Sequence, residues 1–129
     1  MRGRSALCMV LTLLTAACDT QLTALNPPPG GFRGELDENE NRVTMSPGVA
    51  LAFRCTINGS PCGDISVEVD DPRLVTAERG FLDELSYDPD VATETPSTSI
   101  VIVARRAGVT TLRLSGAVDA TYEVEVVLD

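Results

Sequence analysis

Val49-Ala50-Leu51-Ala52-Phe53-Arg54-Cys55-Thr56 decides how this chain folds. Val49, Leu51, Phe53 and Cys55 alternate with Ala50, Ala52, Arg54 and Thr56, a period of two that sends successive side chains to opposite faces of a strand. The same alternation recurs on both sides. Upstream, Val43 and Met45 begin the series. Downstream, Ile65, Val67 and Val69 alternate with Ser66, Glu68 and Asp70. Leu112 and Leu114 alternate with Thr111, Arg113 and Ser115, and Tyr122, Val124, Val126 and Leu128 alternate with Glu123, Glu125 and Asp129. Leu74-Val75-Thr76-Ala77 reads as a shorter strand. The β-branched run Ser99-Ile100-Val101-Ile102-Val103-Ala104 is apolar on both sides, as expected of a central strand. Turn signals fall between the runs at Ser46-Pro47-Gly48, Asn58-Gly59, Asp71-Pro72, Ala107-Gly108 and Ser115-Gly116. No stretch carries a convincing helical pattern, so an all-β chain is predicted.

About seven short strands over residues 42–129 fit an immunoglobulin-like β-sandwich. The order of features also resembles the group 2 bacterial Ig-like domains found in adhesins and many envelope proteins. The resemblance is carried by Ser46-Pro47-Gly48, by Val67-Glu68-Val69-Asp70-Asp71-Pro72-Arg73-Leu74-Val75-Thr76-Ala77, and by Ala107-Gly108-Val109-Thr110-Thr111-Leu112-Arg113-Leu114. Two features depart from that family. Val67 and Val69 stand where it usually has an aromatic residue, and residues 79–98 are longer than its usual connection.

The N-terminus reads as an export signal. Met1-Arg2-Gly3-Arg4 is positive, and Ala6-Leu7-Cys8-Met9-Val10-Leu11-Thr12-Leu13-Leu14 is apolar but too short for a permanent membrane span. Leu14-Thr15-Ala16-Ala17-Cys18 then resembles the lipobox of bacterial lipoproteins, with Thr15 in place of the preferred Leu. The resemblance implies cleavage after Ala17, a diacylglyceryl group on Cys18 Sγ and acylation of the new amine. Residues 1–17 are thus expected to be a signal peptide, and the mature protein a lipid-anchored one in the bacterial cell envelope, on the periplasmic or extracellular side. Asp19 resembles the enterobacterial signal for retention in the inner membrane, a rule other bacteria do not all follow.

Residues 18–41 read as the acylated cysteine and a flexible linker. They contain Asn26-Pro27-Pro28-Pro29-Gly30-Gly31 and then the acidic Glu35-Leu36-Asp37-Glu38-Asn39-Glu40-Asn41, with almost no apolar periodicity. As a disordered tether they would reach on the order of 25–30 Å.

Composition narrows the chemistry. The 129 residues contain no His, and all 10 basic side chains are Arg, so lysine bases, Schiff bases and histidine acid–base or zinc chemistry are excluded. The net charge of −9 and an aromatic content of 4% argue against nucleic acid. Removing residues 1–17 takes Arg2 and Arg4 away and leaves 8 Arg against 19 acids. With Cys8 in the signal peptide and Cys18 acylated, Cys55 and Cys62 remain, and an exported protein is expected to pair them as a disulfide across the Asn58-Gly59 turn.

The stretch from Arg79 to Glu94 looks unlike scaffold. Phe81, Leu82, Leu85 and Tyr87 form its candidate contact surface for a protein partner. Asp83, Glu84, Asp88 and Asp90, with Asp70 and Asp71, could in principle hold calcium, but the regular D-x-[DN]-x-[DN]-G spacing is absent, so no metal or other cofactor is assigned. The expected function is non-catalytic: a binding or structural domain serving adhesion, scaffolding or an envelope complex, with an unidentified envelope protein as partner. The alternative is a periplasmic ligand- or calcium-binding accessory protein.

Overall fold

The structure is a computed structural model that describes residues 20–82 and 97–128, and no helix occurs among them. Ten strands form: β1 (Thr20–Ala24), β2 (Gly34–Asp37), β3 (Arg42–Met45), β4 (Ala50–Ile57), β5 (Ser60–Pro61), β6 (Ile65–Val69), β7 (Val75–Leu82), β8 (Ser97–Ala104), β9 (Gly108–Gly116) and β10 (Ala120–Val126). One sheet, A, has the order β1-β4-β8-β7, with β5 paired to β4. The other, B, has the order β2-β3-β10-β9-β6. All pairings are antiparallel except β3 with β10, which is parallel. This is the strand order of an immunoglobulin sandwich, with β1, β4, β8 and β7 in one layer and β6, β9 and β10 in the other.

Alternation produces the core directly. The inward residues of sheet A, including Leu51, Phe53, Val75, Ile100 and Ile102, meet Val43, Met45, Leu112, Leu114 and Val124 of sheet B, and each is at most 1% exposed. Phe53 is the largest fully buried side chain. With no Trp in the chain, aliphatic side chains supply most of the rest of the interior, together with Tyr122, Met45 and the two cysteines. At the β7–β6 edge a polar clasp joins the layers. Arg79 of β7 donates from Nη1 to the Asp64 carboxylate and, at 3.0 Å, to the Ile65 carbonyl oxygen, while Thr98 Oγ1 donates to the Gly63 carbonyl at 2.8 Å.

Two expectations need correction. The first concerns the strand count of about seven and the tether over 18–41, because β1 and β2 lie inside that segment. β1 pairs over its full length with β4, Leu22 facing Cys55, and β2 pairs with β3, Leu36 facing Val43. Each of these edge strands contributes a single inward aliphatic side chain, too few to register as alternation. The backbone ladder and one buried residue, Leu22 at 1% exposure, hold β1 in place. The intervening proline segment is mostly exposed, with Pro28 half-buried, yet it is tied to sheet A. Asn26 acts as a side-chain strand partner, accepting from the Ala52 N–H at 2.8 Å and donating to the Ala50 carbonyl at 3.3 Å. A Cβ placed on Gly34 would lie 2.9 Å from Pro28 Cβ and 3.0 Å from a Leu51 methyl, so only glycine lets these elements meet.

The second correction is that the Arg79–Leu82 part of the expected loop is strand. β7 runs to Leu82 and β8 starts at Ser97, with Gly80 facing Ser99 and Phe81 facing Thr98. In the sheet, Gly80 lies where an added Cβ would sit 3.0 Å from Ser99 Oγ. β8 is a central strand of sheet A, as expected, and on its outer face Val101 is 37% exposed.

Candidate functional site

Of the residues singled out from the sequence, the structure brings Cys55 and Cys62 together. Cys18, Leu85 and Tyr87 lie outside the described residues, as do Asp83, Glu84, Asp88 and Asp90. Phe81 and Leu82 end β7. Cys55 and Cys62 are joined in a disulfide with Cα atoms 5.4 Å apart, both side chains buried. The bridge follows from the hairpin. Asn58 and Gly59 take φ values of 50° and 83° and form a two-residue loop that places Ile57 opposite Ser60 and Thr56 opposite Pro61. The next facing pair is Cys55 and Cys62, and the Cys62 N–H donates to the Cys55 carbonyl at 3.2 Å. The bridge therefore staples the β4–β5 hairpin within one sheet. In antibody domains the conserved disulfide crosses between sheets instead.

Asp70 and Asp71 are each bonded to an arginine. Both Asp70 oxygens accept from Arg113, at 2.7 and 3.0 Å. Asp71 accepts from Arg73 Nε and Nη2, each at 3.0 Å, and from the Arg73 backbone N–H at 3.0 Å. Hydrogen bonding from the Arg73 side chain, then from its backbone, holds the Asp71 carboxyl below the usual carboxylate range, and the same side-chain bond raises the Arg73 guanidinium. Among the described residues no group of three or more Cys, Asp or Glu is arranged to hold a metal ion.

A shallow cleft of about 250 Å³ lies where the edge strands β1 and β2 meet. Gln21, Glu38, Asn39 and Asn41 form its rim, with Leu22, Leu36 and Tyr122 beneath. Gln21 Nε2 lies 3.4 Å from Glu38 Oε2 across it. The turn that carries this rim is built by Asp37, whose Oδ1 accepts from the Asn39 and Glu40 N–H groups at 3.0 and 3.2 Å, and by Asn41 at a φ of 49°. Amides and one carboxylate can exchange hydrogen bonds with a polar ligand. They include no nucleophile paired with a base. The cleft was missed in the sequence because the residues that wall it were assigned to the tether.

Besides the charges on the outer faces of the sheets, the turns at the two ends of the sandwich carry charged groups, with Arg73 paired to Asp71 at one end and Asp64 to Arg79 at the other. Arg33, Arg73, Arg105 and Arg106 share one end through the turns that carry them: Ser46 N–H bonds the Arg33 carbonyl, Gly48 N–H bonds the Ala104 carbonyl, and the Arg105 and Arg106 N–H groups both bond the Leu74 carbonyl. Glu38, Glu40, Asp64 and Asp119 lie at the other end, in the turns around Thr20 and the Asn58-Gly59 hairpin.

The fold and this arrangement define a two-sheet sandwich of immunoglobulin strand order that displays polar end loops. No protein-family model matches the chain, and the search of curated proteins finds no match.

Proposed function

We propose that the protein is a lipid-anchored component of the bacterial cell envelope whose immunoglobulin-like sandwich works by contact, as an adhesion, scaffold or accessory subunit. The observation that carries this reading is the N-terminal series of a basic segment, a short apolar run and Leu14-Thr15-Ala16-Ala17-Cys18. Two or three acyl chains on Cys18 would hold the domain at the membrane, since each buried methylene contributes about 0.8 kcal/mol. The acidic balance of the mature chain keeps such a domain soluble and repels phosphate polymers. The disulfide suits an oxidising compartment outside the cytoplasm. Resemblance to group 2 bacterial Ig-like domains supports the same role.

Metabolic labelling with palmitate tests the anchor. Wild-type protein should take up label and fractionate with membranes, and Cys18→Ala should do neither. Unlabelled, soluble wild-type protein in the periplasm would overturn the proposal. For the domain itself, calorimetric titration with calcium should give no heat and no shift in melting temperature.

A further inference from the structure

We infer that the anchored protein stands end-on on the bilayer, with the Asn58-Gly59 hairpin end against the lipid headgroups and the arginine end facing away. The inference rests on the acylation of Cys18 proposed above. β1 begins at Thr20, so only Asp19 stands between the acylated position and a strand hydrogen-bonded into sheet A, and the link is two Cα–Cα steps long. Two such steps span at most ~7 Å even when fully extended. The eight-residue strands β4, β7 and β8 each run about 26 Å. The slack is a small fraction of the length of the sandwich.

Strand register fixes which turns lie level with Thr20; β7 ends and β8 begins at this level too, Leu82 facing Ser97, so residues 83–96, outside the described residues, connect there. Ile57 pairs with both Thr20 and Ser60, which puts the Asn58-Gly59 tip at that end. The rim of the polar cleft brings Asn39 and Asn41 to Thr20. The Ala117 N–H bonds the Asp64 carbonyl, which adds the β9–β10 turn with Asp119. Arg33, Arg73, Arg105 and Arg106 lie a strand length away.

Electrostatics alone would favour the reverse orientation. An anionic leaflet attracts Arg33, Arg105 and Arg106 and repels Glu38, Glu40 and Asp119, whereas Arg73 is paired with Asp71 and Asp64 with Arg79. On a tether of some 25 Å the domain would turn over and lay its arginine end on the headgroups. The short covalent link prevents it. Lying on sheet B is opposed by Glu35, Glu68, Glu123 and Glu125 on that outer face. The nearly neutral outer face of sheet A is the competing contact, so the test includes it.

Three single-cysteine variants of the full lipidated protein decide the matter: Asp119→Cys at the hairpin end, Arg106→Cys at the arginine end and Glu78→Cys on the outer face of sheet A. All three positions are exposed. The Cys55–Cys62 disulfide and the acylated Cys18 leave the new thiol as the sole target for a fluorophore. Each protein is reconstituted into phosphatidylcholine/phosphatidylglycerol vesicles carrying a headgroup nitroxide lipid. The expected result is quenching several-fold stronger at 119 than at 78, with 106 at the level of nitroxide-free vesicles. Equal quenching at 106 and 119, or the strongest quenching at 78 or 106, overturns the orientation. Flotation separates the two readings. Protein that neither floats with vesicles nor takes up palmitate removes the anchor, and the orientation with it. Protein that floats but quenches uniformly removes only the orientation. Inserting twenty Gly/Ser residues between Asp19 and Thr20, a reach of about 25 Å, should leave flotation unchanged and raise quenching at 106.

Discussion

The two sheets bury similar inner faces and present contrasting outer ones. On sheet B, Glu35 and Asp37 of β2, Arg42 of β3, Glu123 and Glu125 of β10, Arg113 of β9 and Glu68 of β6 all occupy outward positions. Arg42 Nε lies 2.9 Å from Glu123 Oε1, an ionic contact in which the N–H is not aimed at the oxygen, and Nη1 lies 3.4 Å from Glu40. On sheet A the matching positions hold Thr23, Ala50, Ala52, Ser99, Val101, Val103 and Thr76, with Arg54 and Glu78 the two charged side chains among them. The difference teaches that alternation constrains only the inward half of each strand. The outward half can carry charge or small neutral side chains without altering the fold. Two copies of so acidic a chain repel each other through sheet B and meet no such barrier at sheet A.

Several substitutions would break or sharpen that comparison. The largest effect belongs to the inner faces, where the sheets should behave alike. Phe53→Ala in sheet A should cost about 3–5 kcal/mol and Leu112→Ala in sheet B about 2–5 kcal/mol in urea denaturation, because both empty one shared core. A large loss from one sheet only would mean that the layers are not a single cooperative unit. The staple distinguishes them next. Cys55→Ala/Cys62→Ala should lose about 2.5 kcal/mol by the chain-entropy estimate for so short a loop, while the circular dichroism of the sheets persists. Intact oxidised protein should show no free thiol at either position under denaturing alkylation.

At the β6–β9 edge of sheet B, Gly116 takes a φ of 104°, and an added Cβ would lie 2.9 Å from the Asp64 carbonyl oxygen. Gly116→Ala should therefore cost about 1–3 kcal/mol, and thermal melts would register it. The charged outer face should matter less. Arg113→Ala removes an exposed bidentate pair with Asp70 and should cost no more than about 1 kcal/mol, shrinking at high salt. The smallest effect concerns acid. Asp71 has a depressed carboxyl in the folded state, so its contribution is present above the ordinary carboxylate value and lost as pH falls through the lower folded one. The difference in melting temperature between wild type and Asp71→Asn should be steady near neutral pH and vanish only in strong acid.

Legibility in the sequence tracked the number of inward apolar residues per strand. β4 offers Leu51, Phe53 and Cys55, and β9 and β10 offer comparable series, so their period stood out. β1 offers Leu22 and β2 offers Leu36, and one residue makes no period. Their flanks, Pro27-Pro28-Pro29 and Glu38-Asn39-Glu40, matched a tether in composition. The polar cleft went unseen with them. The Cys55–Cys62 pairing was legible because Asn58-Gly59 specifies a hairpin loop that places the two cysteines face to face. The Asp70–Arg113 pair was not, since 43 residues separate its partners.

The sequence by itself determined the all-β class, the positions of the central strands, the disulfide hairpin and the chemistry unavailable to a chain without His or Lys. Those properties follow from local spacing and composition. Only the tertiary structure decided that residues 20–37 contain strands of the sandwich, that Asp70 binds Arg113, and which loops share an end. Each of these depends on what a neighbouring strand supplies: backbone donors and acceptors for β1 and β2, the Arg113 guanidinium of β9 for Asp70, and a common level for loops far apart in the chain. A single buried leucine beside an open ladder of hydrogen bonds suffices to recruit an edge strand, and that ladder exists only once β4 has folded against β8.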